Sequence, residues 1–266
     1  MRLLGTAAGG IRAQQVALDV DGDNMANVNT TGFKANHTNF AETLATEMRS
    51  ANVTMNGQPV GKSLSMGAGV LYNGIGTDFK QGAVKTTDRP LDVAINGSGF
   101  FEVTTANGEK AYTRDGNFQV DADGNLCDSN GNLVTLVDEG GNEMPKGNLL
   151  LTEGLEIDSN GTVTAMVDGE RMSFGQVALA LFPNQEGLLK LGSNLYGVSP
   201  TSGEPQLVSP GTEGTASLQT KALEASNVDL AANMTDMIQV QRAYQMNSRM
   251  VSYGDEMWSI ANSLRR

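Results

Sequence analysis

The sequence predicts an α+β protein: a discontinuous helical coiled-coil domain, built from the N- and C-terminal ends, flanking a central all-β domain. Three observations carry this. Apolar residues recur every seven positions at both ends of the chain. The middle consists of short alternating segments punctuated by Asn-Gly and Asp-Gly pairs, and glycine is high at 32 of 266 residues. The average share is only about 7%.

The first helix follows from Leu4, Ile11, Leu18 and Met25, with Ala7, Ala8 and Val28 offset by three or four, a single apolar stripe running to about Asn29. At the other end the same spacing gives Leu230, Met237, Tyr244, Val251 and Trp258, and an adjacent row adds Ala243, Met250, Met257 and Leu264. Asn227 is placed to cap this helix, and Asp229 sits where the helix dipole favours a carboxylate. Helical from about Val228 to Ser263, the segment is roughly 54 Å long at 1.5 Å per residue. A helix of that length cannot bury its stripe by itself. Two facing helices still leave apolar surface, so packing between subunits is the natural remedy.

Amides interrupt the stripes at Gln14, Gln15, Asn24, Asn27, Gln239, Gln241 and Asn247. Where buried, such amides demand specific partners and fix the register between neighbouring helices; the alternative is that they face solvent.

The β zone runs from about Arg89 to Leu218. Leu91–Ile95, Phe100–Val103, Gly161–Val167 and Val177–Phe182 are strand-like, separated by Asn96-Gly97, Asn107-Gly108, Asp115-Gly116, Asp123-Gly124, Asn130-Gly131 and Asn160-Gly161. Between helix and β zone lie a weakly apolar stretch (Phe40, Leu44, Met48), read as a short helix or extended arm, and a Ser/Asn/Gly-rich loop, Ser50 to Gly69. The expected division is 1–34 for the first helix, 35–88 for the arm and loop, 89–221 for the β domain and 222–266 for the second helix.

Charge and composition exclude several functions. The net charge is −12 and the basic residues are scattered, which removes the counterion-release affinity behind nucleic-acid binding. No apolar run is long enough for membrane insertion. The N-terminus, carrying Arg2, Arg12, Gln14 and Gln15, is unlike a cleavable secretion signal. Cys127 and His37 are single representatives of their types, so no disulfide or Cys/His zinc site can form within the chain, and His37, between Asn36 and Thr38, reads as part of a polar loop.

The run Asp19-Val-Asp21-Gly-Asp23-Asn24 fails the calcium-loop test, because Asn24 and Thr30 stand where glycine and a bidentate glutamate are needed. Asp121-Ala-Asp123-Gly-Asn125 fails likewise at Leu126 and Asn132. Gly67-Ala-Gly69 and Gly97-Ser-Gly99 lack the third glycine or the Lys-Ser/Thr of phosphate-binding loops. No metal, cofactor or catalytic residue is expected.

Three ordered blocks nevertheless form a pattern. Asn24-Met-Ala-Asn27-Val-Asn-Thr-Thr-Gly32-Phe33-Lys34 resembles the N-terminal signature of the flagellar rod and hook protein family of bacteria. Leu91-Asp-Val-Ala-Ile-Asn-Gly97-Ser-Gly99-Phe100-Phe101, followed by Tyr112-Thr-Arg114-Asp-Gly116-Asn-Phe118, is similar to that family's β-domain core. Ser226-Asn-Val-Asp229 through Met237-Ile-Gln-Val-Gln241-Arg242-Ala-Tyr244-Gln-Met-Asn247-Ser248 resembles its C-terminal helix. The last block and Ala13-Gln-Gln15 look closest to the distal rod branch; proximal rod and hook-type members are the alternatives. Asp21 and Asp23 depart from the neutral residues of relatives, and Ser50 to Gly69 matches no block.

The resemblance implies a structural subunit, exported without a cleaved signal, that stacks with identical subunits into a helical tube within the basal body of the cell envelope. It also implies contact with neighbouring rod and hook proteins, with the rings around the rod and with the export apparatus. Outside the family, a secreted β-domain binding protein with a coiled-coil stalk is the second reading. An enzyme is the third, and no carboxylate pair stands out for that role.

Overall fold

A computed structural model describes residues 2–43, 46–48, 54–55, 58–59, 64–67, 69–138, 153–167, 170–210 and 216–264. Two long helices, α1 (Arg2–Ala26) and α2 (Leu230–Ser263), lie at the two ends of a chain whose middle is rich in short strands. The fold is α+β. Its contacts divide it into two compact units, one of 1–26, 36–76 and 229–266 and one of 27–35 and 77–228.

In the first unit α1 and α2 run antiparallel. Asn24 faces Asn233 and Gly10 faces Asn247, so each step toward the start of α1 is a step toward the end of α2. α1 turns Ala7, Ala13, Ala17 and Val20 inward. Small side chains allow close helix approach, and a Cβ on Gly10 would stand 2.7 Å from the Asn247 amide.

α2 starts at Asp229, whose carboxylate accepts from the Ala231 and Ala232 amides at 2.9 and 3.2 Å. The cap is therefore Asp229 and not Asn227, because the Asn227 side chain is engaged elsewhere: it accepts from the Ala35 amide and donates to the Asp78 and Lys80 carbonyls.

Asn36–Glu42 pairs with Val70–Thr77 in a two-stranded sheet of the first unit. His37 is thus an exposed strand residue and not part of a loop; Gly76 across from it has no side chain, and a Cβ there would collide with the imidazole. Phe40, which the sequence pattern assigns to a helix or arm, lies on the same strand, and Met48 ends the strand Thr46–Met48, which pairs with Leu64–Met66. Leu44 and 11 of the 20 residues of Ser50–Gly69 fall outside the described residues, and those described include the strands Thr54–Met55, Gln58–Pro59 and Leu64–Met66 where a loop is expected.

The second unit is antiparallel throughout its mapped pairings. Phe100–Thr104 is its hub strand, flanked by Lys110–Thr113 on one side and by Leu133–Val134 and Leu179–Leu181 on the other. A four-stranded sheet orders Leu136–Val137, Glu170–Val177, Thr162–Val167 and Glu153–Ile157. The strands Ser217–Thr220 and Ala222–Glu224 return to pair with Val93–Asn96 and Val84–Thr86.

Alternation along the hub strand feeds two cores. Phe101 and Val103 enter the larger, where Phe101 meets Phe118 edge to face at 5.0 Å. Phe100 points the other way, into a cluster with Tyr112, Phe182 and Tyr196. Phe79 packs against that cluster.

Candidate functional site

Two features stand out, one in each unit. In the second unit, the motif from Thr30 to Lys34 is held at every position. Gly32 adopts φ +66°, and a Cβ there would lie 2.6 Å from the Asp115 amide nitrogen, so the position is closed to other residues both by conformation and by space. The Gly32 amide donates to the Glu224 carbonyl at 2.9 Å, and the Thr31 hydroxyl donates to Asp115 Oδ1 at 3.0 Å. Asn27 accepts from the Thr30 hydroxyl. Phe33 is buried, with Lys190 Nζ 5.0 Å from its ring centroid.

Lys34 then drives its ammonium into the interior. Lys34 Nζ donates to Glu224 Oε1 at 2.6 Å and to the Lys80 carbonyl at 2.7 Å. Arg114 Nη1 reaches Glu224 Oε2 at 3.3 Å, its Nη2 donates to the Gly97 carbonyl at 2.9 Å, and its guanidinium carbon stands 5.3 Å from the Phe100 ring centroid. The Gly82 amide also donates to Glu224, at 2.8 Å.

One carboxylate thus ties together three distant stretches of chain. Burial pulls the Lys34 ammonium and the Arg114 guanidinium below their ordinary pKa values, and Glu224 opposes that pull in both. The Asp115 carboxyl is pushed up by burial, against hydrogen bonds from Asn117, Thr31 and Ser129. Gly116 sits where its backbone crosses Val93, and Gly97 adopts φ +113°. Gly99, at the head of the hub strand, faces Leu181.

In the first unit Asn24 is buried and uses its amide as a piece of backbone. Its Nδ2 donates to the Asn36 carbonyl at 2.7 Å and its Oδ1 accepts from the Asn36 amide at 2.8 Å. A third contact at 3.4 Å reaches Asn233 of α2.

The inner face of α2 consists of Asn233, Met237, Val240, Ala243, Asn247, Val251 and Gly254, stepping by three and four. Of the sevenfold row read from the sequence, Met237 and Val251 are half-buried on this face, whereas Leu230, Tyr244 and Trp258 are exposed. A row of strict sevens drifts around a straight helix by about 20° per heptad, which takes Leu230 off the seam. Trp258 returns to the seam line, but in this register it lies beyond Arg2, the first residue of α1, and is 52% exposed beside a shallow groove lined by Asp255, Ser259 and Asn262. Leu4, Ile11, Leu18 and Met25 of α1 are all half-buried; Gln241 and Arg242 are exposed.

A second face of α2 has no cover among the described residues. Met246, Met250, Tyr253, Met257, Ile260 and Leu264 are all exposed, as are Leu230, Met234 and Ile238 nearer the start of the helix. Solvated rows of this length are unusual for a subunit that acts alone. No group of metal-ligating side chains converges among the described residues, and no described helix is long and apolar enough to cross a membrane.

Long helices with uncovered apolar rows, joined in sequence to a tightly locked β unit, define a subunit made to pack against other chains. Comparison with known proteins agrees. Residues 4–34 match the family described as flagella basal body rod protein, residues 94–165 the flagellar hook protein FlgE/F/G D1 domain, and residues 219–264 the flagellar basal body rod FlgEFG protein C-terminal family.

Flagellar basal-body rod protein FlgG of Caulobacter vibrioides is 36% identical over the whole of both chains. FlgG of Borreliella burgdorferi is 37% identical over all of this chain and 99% of its own, and FlgG of Bacillus subtilis 35% over the whole of both. The flagellar hook-basal body complex protein FlhP of Bacillus subtilis is 31% identical, again over full length. The chain belongs to the flagellar basal-body rod protein family and is a structural rod subunit of the bacterial flagellum.

Proposed function

We propose that copies of this chain stack helically into the distal rod, the hollow driveshaft that carries torque from the motor to the hook. The observation that carries the reading is the uncovered apolar face of α2. Each row residue buried between copies contributes up to about 1.5–3 kcal/mol before ordering entropy is subtracted. The terminal helices of neighbouring copies pack as a coiled coil, and the β unit supplies stiffness through its close-packed cores.

Full-length similarity to proteins named FlgG favours the distal rod over a proximal rod or hook-type role. Neighbouring rod and hook proteins, the rings around the rod and the export apparatus are the partners.

The test is electron cryo-microscopy of basal bodies from a strain carrying the chain as its sole copy, beside a strain carrying Met250→Asp and Met257→Asp. Complete rods built from the first and truncated basal bodies in the second are expected. Rods from which the chain is absent, or normal rods from the double variant, would overturn the proposal.

A further inference from the structure

The uncovered face of α2 has a register, and a register specifies a partner. Met246, Met250, Tyr253, Met257, Ile260 and Leu264 step alternately by four and three, the spacing of a and d positions in a heptad. With Met250 at an a position, Arg242, Arg249 and Glu256 fall at g, one exposed file beside the apolar seam reading plus, plus, minus. Charges at such positions set the choice and direction of the partner helix.

The complementary file is on the outward face of α1. Gly5, Arg12, Asp19 and Ala26 are spaced by seven and exposed, with Ala8 and Asp23 beside them. Small residues there leave room for bulky thioether and aromatic side chains. Arg12, Asp19, Arg249 and Glu256 make no ion pair among the described residues of the free subunit.

We infer that the Met246–Leu264 face of α2 docks, antiparallel, on the outward face of α1 of a second copy, with Arg249 opposite Asp19 and Glu256 opposite Arg12. The inference rests on the self-assembly reading and deepens it by naming the two faces and their register. Both spacings are seven residues, so the two opposite-charge pairs form together, and Arg242 comes level with Ala26, one turn from Asp23.

Two of the other arrangements place like charges together, whereas a twofold pairing of α2 faces with Arg249 against Glu256 does not and predicts normal rods from Asp19→Lys. A parallel alignment with Arg12 against Arg249 puts Asp19 on Glu256. Two α2 faces packed about a twofold axis, with Arg242 against Glu256, put Arg249 on Arg249. Because the two faces are different surfaces of one chain, the contact is head-to-tail and leaves a free face at each end, as an open helical polymer requires.

Charge reversal separates the possibilities. Arg249→Glu and Asp19→Lys are expressed singly and together in a strain lacking its own copy of the gene, with rods counted by electron microscopy and spreading measured in soft agar. Each single variant is expected to lower rod number by about tenfold or more, since like charges then oppose each other at every contact.

Co-expression of the two single variants should restore rods as an alternating copolymer. The reversed α2 face of an Arg249→Glu copy then meets the reversed α1 face of an Asp19→Lys copy, and the remaining faces keep their natural charges. Recovery by mixing cannot come from misfolded chains. Normal rods from either single variant, or failure of the co-expressed pair, overturns the register and leaves self-assembly standing. Failure of the unaltered chain to build rods in the same strain overturns self-assembly itself.

Discussion

Lys34 Nζ lies 2.6 Å from Glu224 Oε1, with both side chains fully enclosed although they stand 190 positions apart in the chain. Arg114 adds a second buried cation on the same carboxylate, and its Nε has no hydrogen-bond partner among the described residues. Two cations on one anion are tolerable only while that anion is present, because an uncompensated charge in the interior costs far more than the pair contributes. Glu224→Gln should therefore destabilise the β unit by about 3–5 kcal/mol. Urea unfolding followed by the fluorescence of Tyr112 and Tyr196, both buried there, would measure it. A loss under about 1 kcal/mol would mean that the cations find water instead.

The fit of Gly32 between its own φ of +66° and the backbone of Asp115 makes a second prediction. Gly32→Ala forces either the left-handed conformation on an alanine, at a cost of roughly 1 kcal/mol, or a shift of the Arg114–Asp115 backbone. The Gly32 amide would then lose the Glu224 carbonyl. Amide hydrogen exchange should rise at Gly32 and across the neighbouring Ala222–Glu224 strand. Unchanged protection at both would refute the account.

Periodicity and turn chemistry make much of this fold legible, because both act over a few residues. Five of the six Asn-Gly or Asp-Gly pairs named from the sequence have their glycine at positive φ; the sixth, Gly116, is needed because Val93 crosses it too closely for a side chain. The amphipathic ends likewise announce α1 and α2.

What local patterns do not carry is the partner of each element. Glu224 is one of 30 acidic residues, and its pairing with Lys34 is set by the β unit's topology, which no short motif encodes. A lysine ending a tight Gly-Phe motif is the available hint that an anion lies nearby. The sequence places the α2 seam on a strict sevenfold row; the observed face steps by three and four, and the offset between two helices of unequal length leaves Trp258 uncovered at the seam's end.

Asn24 supplies a third test. Its amide replaces a strand partner for Asn36, so Asn24→Ala leaves a backbone donor and acceptor unpaired at a buried position. The expected destabilisation is about 1–3 kcal/mol. Asn24→Asp should be nearly as harmful, since a carboxylate cannot donate to the Asn36 carbonyl. Thermal unfolding followed at 222 nm reports the helices; an Asp variant as stable as the parent would show that acceptance alone suffices.

Acidity should act on the helix pair through Asp21. Burial is the main cause of its raised pKa, and Asp236 on the facing helix adds repulsion between carboxylates; on its own helix Asp19 and Asp23 add further negative charge. A carboxyl that holds its proton more tightly when folded than when unfolded stabilises the folded form below its ordinary value of 3.8, and that contribution is lost as pH rises through the raised value. The repulsion from Asp236 is at its fullest once Asp21 has lost its proton. Asp21→Asn removes the proton linkage and the repulsion together. Its melting temperature at pH 7 should exceed the parent's, and the gap should close as the pH is lowered through the carboxylate range. A gap that widens on acidification would mean that Asp21 is stabilised as an anion, contrary to its position opposite Asp236.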